Sequence, residues 1–199
     1  MNRSRQQLAV ATGTALRFSL RHVSTEADFA SAAALRQQLF HERRRVTFDE
    51  ALEAQRDQEG HVFILREAGT PVAVGRVLPY PSRLSSLVAL SPRAGDCNAD
   101  SEIGRVACVA ARGLDACALI LLTLGSFWLL KHTRLRRYVG YCHPKLLASY
   151  CRLGALPGAE ILVPGRAEPH RIISGSYDAA ATLGARLLGL SDSERRTQP

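Results

Sequence analysis

Lysine is almost missing from this 199-residue chain. Only Lys131 and Lys145 occur, so arginine supplies nearly all of the basic charge behind a formal net charge of +8. That balance favours an acidic partner, although the Ala, Arg and Leu bias of the whole chain gives the same sign. No basic stretch is interleaved with aromatic residues, which argues against a nucleic-acid surface. The five cysteines (Cys97, Cys108, Cys117, Cys142 and Cys151) form no C-x-x-C and no paired metal spacing. Their odd number, partly within apolar runs, excludes a disulfide framework and reads as reduced thiols of a cytoplasmic protein that holds no metal. Met1 to Leu20 contains arginines but no continuous apolar core, so no signal peptide is expected. Ala116 to Leu130 is apolar but falls short of the ~20 residues needed to cross a bilayer, so it predicts a buried helix rather than a stable membrane span. Internal repeats and a second compositional block are also missing. One domain over residues 14–190, with flexible tails at 1–13 and 191–199, is the simplest organisation.

The stretch that stands out runs from Ser101 to Asp115. It opens with Glu102 and Arg105, continues as a small-residue and β-branched apolar strand, and ends at Arg112-Gly113-Leu114-Asp115 before the long apolar helix. A strand, turn and helix in that order offers backbone N–H groups to an anionic ligand such as a pyrophosphate. A carboxylate at the start of such a strand is expensive to bury without a partner or a role. Glu102 and Arg105 are three apart, so a regular strand points them to opposite faces. Either Gly104 marks a bulge that re-aims one of them, or only one faces a site. A structural ion pair at the strand end is the plainer alternative.

Around this centre the chain predicts a strand over Leu16–His22 and a capping box at Thr25 and Asp28. The helix so opened carries Phe29, Ala33, Arg36 and Phe40 on one side, so Arg36 either snorkels or reaches into a site. His41–Arg45 is a charge run, and Asp49–Gln58 an acidic helix or loop. A hairpin follows around Ala68-Gly69, with Arg76 sharing a face with Val72, Val74 and Leu78. Ser82–Leu90 reads as a short strand between loops. Arg134–Arg137 ends the long helix, Tyr138–Cys142 is a strand, and His143-Pro144 opens a helix that Gly154 terminates. Ile161–Pro164 and Arg171–Ser174 read as the last strands, and Asp178–Leu190 as the last helix.

This order of elements, with four local motifs, resembles the GNAT acyltransferase superfamily. The segment His143 to Ala155 is similar to its closing motif, a helix ending Tyr-x-x-x-Gly-Phe, with Ala155 in place of Phe. Arg112 to Cys117 lies where the coenzyme A loop belongs, without its two later glycines, so side chains crowd the backbone approach that glycine permits. Arg36 and Phe40 four apart, the acidic segment Glu53–Asp57, Arg76, and Glu102 with Arg105 resemble the acyl-carrier-protein-dependent branch of N-acyl amino acid synthases and acyl-homoserine lactone synthases.

The resemblance implies an α/β fold with a central mixed, mostly antiparallel sheet flanked by helices. It implies N-acyl transfer of a fatty group from an acyl-phosphopantetheine thioester, borne by an acyl carrier protein or coenzyme A, to an amino-acid or peptide amine. No resident cofactor is expected. Glu102 would accept the amine proton and Tyr150 protonate the leaving thiolate. Backbone N–H groups from Val106 to Val109 would bind the thioester oxygen. Arg36, Phe40, Arg76 and Arg105 would line the acceptor side, Phe127 and Trp128 the acyl pocket, and Ala111, Arg112, Gly113 and Asp115 the donor phosphates. Arg134, Arg136, Arg137 and Lys145 are expected to meet the acidic carrier. Alternatives are an acetyl-coenzyme A N-acetyltransferase, an acyl-homoserine lactone synthase, and a non-catalytic acyl- or nucleic-acid-binding module on the same fold.

Overall fold

The Thr25 hydroxyl accepts the Asp28 amide at 3.3 Å and donates to the Asp28 carboxylate at 2.9 Å. That satisfies a donor which the first turn of a helix otherwise leaves open. The computed structural model describes residues 7–10, 18–42, 49–80, 99–109, 114–163 and 168–190. Its strands are β1 (Gln7–Val10), β2 (Phe18–His22), β3 (His61–Glu67), β4 (Thr70–Pro79), β5 (Ser101–Cys108), β6 (Arg137–Cys142), β7 (Leu156–Ile161) and β8 (His170–Ser176). The helices are α1 (Glu26–Arg36), continued by a π-helical segment at Gln37–Glu42, then α2 (Glu50–Glu59) and α3 (Leu114–His132). A 3-10 turn at Pro144–Leu146 leads into α4 (Leu147–Arg152), and α5 (Tyr177–Leu187) closes the order.

The eight strands form one sheet in the order β1-β2-β3-β4-β5-β6-β8-β7, antiparallel except where β5 lies beside β6. This is the mixed, mostly antiparallel α/β arrangement that the resemblance implies. Both faces are covered. On one, α3 and α5 pack Leu121, Leu124 and Ala185 against Phe63, Val77 and Ile173. On the other, Leu35 and Phe40 of the α1 segment meet Val62, Ile64 and Val74. Consecutive residues of β3 therefore serve opposite cores, as the two-residue strand period requires.

Several boundaries differ from the sequence expectation. Gln7–Val10, expected in a loose tail, pairs along β2 with Leu8 opposite Leu20. The helix at Ala116–Leu130 is longer, Leu114–His132, and Arg134–Arg137 lies beyond it. There the Arg136 guanidinium donates to the carbonyls of Thr133 and Leu135, and Arg137 opens β6. The seventh strand is Leu156–Ile161 rather than Ile161–Pro164. Pro157 and Gly158 are tolerated there because β7 is an edge strand with one side unpaired. Cys97, Ser82–Leu90, most of the His41–Arg45 run, Ala111–Gly113 and the tail at 191–199 lie outside the described residues. The other four cysteines are in no disulfide.

Helix α5 crosses α3 at Gly184, where an added Cβ would collide with the buried Thr123 side chain. Gly184→Ala is expected to lower stability by about 1–3 kcal/mol, the usual cost of overpacking. Thr123→Ala beside it, which removes the hydroxyl and the methyl that the new Cβ meets, should recover part of the loss. Paired denaturant curves for the single and double variants measure both effects.

Candidate active site

Strand β5 is where the ladder breaks. Val74 pairs with Ala107 and Arg76 with Gly104, so Arg105 and Val106 together oppose the single residue Gly75. This is a β-bulge, and Arg105 takes the left-handed conformation with φ +54°. The bulge resolves the three-residue spacing: it turns Arg105 onto the α1/α2 face of the sheet. Glu102 alternates onto the same face as Gly104, its carboxylate 3.9 Å from where a Gly104 Cβ would stand. Glu102 is one of several charges that favour the Arg105 cation, not its bidentate partner.

The guanidinium of Arg105 instead forks onto Glu53 of α2, Nε to Oε2 at 3.0 Å and Nη2 to Oε1 at 2.7 Å. Arg76 reaches the Glu53 carboxylate at 2.9 Å and Asp57 at 3.0 Å. Arg36 forms a two-pronged pair with Asp57, one arm at 2.6 Å. Arg36, Arg76, Glu53 and Asp57 are all buried. Three arginines from α1, β4 and β5 thus share two carboxylates from consecutive turns of α2. This explains why Arg36 and Arg76 sit on apolar faces: each meets an acid of α2, which packs on the same face of the sheet. Phe40 is buried beneath the cluster, in the core on that side.

Burial alone would raise the Glu53 carboxyl. Hydrogen bonds and charge from Arg105, with charge from Arg76 and Arg36, hold it down at about 2 against an ordinary 4.5. Burial likewise opposes the Arg105 charge, but Glu53, Tyr141 and Glu102 together raise it. Tyr141 of β6 therefore stands within electrostatic reach of the bulge.

Beyond the bulge β5 and β6 separate. Their parallel register holds only Ser101 with Tyr138 and Glu102 with Val139. Gly140 still packs on Ile103, where a Cβ would stand 2.7 Å from its side chain. The gap past that point opens, on the α3 side, into an apolar cleft. Val106 and Cys108 form one wall, Leu119 and Leu122 of α3 the roof, and Ser149 and Tyr150 of α4 the other side. Val109 N–H is spent on Val72 at 2.8 Å. Antiparallel alternation therefore aims the Cys108 N–H away from β4, toward the cleft. Of the expected Val106–Val109 donors, Val109 is excluded by that bond.

Phe127 and Trp128 do not line this cleft. Ala118 and Trp128 are ten residues apart on α3, about 15 Å along its axis. Trp128 stacks on His22 with centroids 4.0 Å apart and on His132 at 4.7 Å, while Phe127 packs at the margin of the α3 core. Arg134, Arg136 and Arg137 follow the same remote end of α3. Lys145 sits at the entry to α4, beside the cleft, and Arg152 lines it. Asp115 falls in the first turn of α3, while Ala111, Arg112 and Gly113 lie outside the described residues.

A group the sequence reading passed over sits at the far end of β6. His143 Nδ1 accepts the Lys145 amide at 3.1 Å, and its Nε2 contacts Glu168. His170 packs edge-on to Tyr141 at 5.6 Å and to His143 at 5.8 Å. His143 looked like a helix entry and His170 stood outside every motif, so only the β6–β8 pairing unites them.

Since the Glu53 carboxyl is depressed, its contribution to stability is whole above about 4.5 and is lost as pH falls toward about 2. Glu53→Gln should flatten that dependence. It should also destabilise by about 3–5 kcal/mol at neutral pH, because buried arginine charge loses its partner. Urea midpoints of both proteins from pH 7 to pH 2 check the two effects together.

No protein-family model matches this chain, and neither does any curated protein. Solved structures do. The N-acyl amino acid synthase FeeM from uncultured soil microbes superposes with a TM-score of 0.64 at 15% identity, over 88% of this chain and 99% of that one. The coenzyme A-dependent acyl-homoserine lactone synthase BjaI gives 0.62 at 17%, over 84% and 85%. The acyl-homoserine lactone synthase LasI gives 0.59 at 15%, over 91% and 95%. The chain therefore has a GNAT-like α/β fold.

Proposed function

We propose that this protein is an N-acyltransferase that moves a fatty acyl group from a phosphopantetheine thioester to the amine of an amino acid or peptide. The carrying observation is the division of the sheet at the bulge. An apolar cleft with Tyr150 lies on the α3 face, a charged site with Glu102 and Arg105 lies on the other, and the gap between β5 and β6 joins them. A thioester threaded through that gap has its acyl chain among Leu119, Leu122 and Val106. Its carbonyl oxygen meets the Cys108 N–H, an oxyanion donor that is already fixed by the strand. Its sulfur lies on the Tyr150 side, where the phenol supplies the proton that the departing thiolate needs.

The acceptor enters from the α1/α2 face as an ammonium ion. Glu102 attracts it and relays its first proton to solvent, leaving a nucleophilic nitrogen. The arginine–carboxylate cluster holds α1, α2, β4 and β5 in one arrangement, so that the amine is positioned rather than merely bound. An acidic acyl carrier protein is the donor favoured by the charge, with Lys145 and Arg152 beside the cleft as its contacts. Arg134, Arg136 and Arg137 cap the distant end of α3 and take no part.

The test is mass spectrometry of amide products from the purified protein. Dodecanoyl carrier protein, dodecanoyl-coenzyme A and acetyl-coenzyme A are each offered with single amino acids. Amide formation from dodecanoyl carrier protein, faster than from the coenzyme A thioester and weakened by added salt, is expected. Acetyl-coenzyme A as the only working donor would reject the fatty-acyl reading. Tyr150→Phe and Glu102→Gln should each lower turnover by about 10² to 10⁴ while leaving the melting temperature in place. A destabilised Glu102→Gln protein with a normal folded-state rate would make Glu102 structural.

A further inference from the structure

An amine that reaches a thioester carbon between β5 and β6 passes between two walls. β5 furnishes one of them on the α1/α2 face, with Glu102 and, through the bulge, Arg105. The other wall belongs to β6. Glu102 pairs with Val139 in the parallel ladder, and residues so paired point to the same face. Tyr141, two residues after Val139 and about 7 Å further along β6, shares that face. The alternation holds past the end of the β5 pairing because β8 keeps β6 in register on its other side. There Val139 lies opposite Ser174, Tyr141 opposite Ile172 and Cys142 opposite Arg171. No pairing with the bulged part of β5 is needed to place Tyr141.

The ring is held, while its hydroxyl is not. Tyr141 packs on the cluster of Val139 and Ile172, and His170 meets its ring edge-on at 5.6 Å. The side chain is half-buried, and its hydroxyl has no hydrogen-bond partner among the described residues. Tyr177 shows the contrast: buried on the opposite face, it shares a hydrogen bond with the Ser101 hydroxyl at 2.7 Å. A half-buried phenol without a protein partner is ordinary where water covers it. Tyr141 differs in its position, since it stands near enough to Arg105 for the two to interact across the gap.

We infer that Tyr141 binds the acceptor, its phenol oxygen taking a hydrogen bond from the attacking nitrogen, a role that rests on the acyl-transfer reading above. A neutral primary amine must aim its lone pair at the thioester carbon and place two N–H groups elsewhere. Glu102 meets the amine at the entrance, and Tyr141 receives one N–H deeper in the gap. As the N–C bond forms, the nitrogen becomes positive, and the N–H···O bond strengthens because its donor is charged. The contact is therefore worth more in the transition state than in the bound amine, which is the condition for raising turnover. Tyr141 gains and loses no proton in this role. The two phenols divide the reaction: Tyr150 serves the departing sulfur on the α3 face, and Tyr141 serves the arriving nitrogen on the other.

The test uses the full chain with dodecanoyl carrier protein and the best amino acid from the acceptor panel. Tyr141→Phe keeps the ring and its contacts with Ile172 and His170 but removes the oxygen. It should lower kcat/KM for the acceptor by about 10- to 100-fold, the range for a hydrogen bond to a charged group. Donor KM and melting temperature should stay in place, a split that a merely structural tyrosine would not give. A second arm needs no variant and no turnover. The five tyrosines are labelled at ¹³Cζ and assigned in the wild-type chain, and carrier protein bearing an unreactive dodecyl thioether is added. Titrating the amino acid should then shift the Tyr141 signal. A folded Tyr141→Phe protein with full acceptor kcat/KM, a loss confined to donor KM, or a Tyr141 signal indifferent to the amino acid overturns the assignment while leaving acyl transfer intact. Wild-type protein that forms no amide from any donor overturns both readings together.

Discussion

The bidentate hold of Arg105 on Glu53 is the contact on which the rest of the site depends. A non-glycine residue at positive φ carries backbone strain, and nothing in the strand ladder offsets it. The offset comes from across the sheet, where a carboxylate on α2 takes both arms of the guanidinium. Arg105 itself does most to hold that carboxylate ionised in the interior, and the charges of Arg76 and Arg36 add to it. A buried ion network of this kind is weak evidence for stability gained, since desolvation consumes most of the attraction. Its value here is geometric. It fixes α1, α2, β4 and β5 to one another around the residue that interrupts the sheet.

The interruption in turn decides what the sheet can do. An intact ladder would bury β5 between two neighbours and close the gap at Val106. With the bulge, the backbone after Arg105 turns some of its donors toward an opening rather than a strand. The two faces of the sheet, each with its own core, meet there.

The sequence made the order of elements legible because each has a local cause: a Thr cap, an alternating pair of arms around Ala68-Gly69, a proline entry at Pro144, a glycine exit at Gly154. Arg36, Arg76 and Glu102 stood out because charge on an apolar face or strand is unusual. Partners were harder to see. Nothing local says that Arg105 faces Glu53, fifty-two residues away, since that pairing depends on a bulge and on the docking of α2. Trp128 misled for the converse reason. A long apolar helix gives no sequence cue to which end meets a ligand, and only its pairing with β2 and β3 aromatics places it remotely. Strand Leu156–Ile161 was missed because proline and glycine argue against a strand unless its edge position is known.

The stack of His22, Trp128 and His132 has a practical side. Trp128 is the sole tryptophan in the chain, and one imidazole lies nearly parallel to it at 4.0 Å. Burial lowers the proton affinity of His61, whose Nδ1 is 3.2 Å from the His22 Nε2. Indole emission responds to an imidazole stacked on it, so this corner of the sheet sets the fluorescence of the sole tryptophan. Its intrinsic fluorescence is therefore an optical gauge of that corner, sensitive to acid and to unfolding. The cleft beside Ala118, some three helical turns away, lies beyond its view.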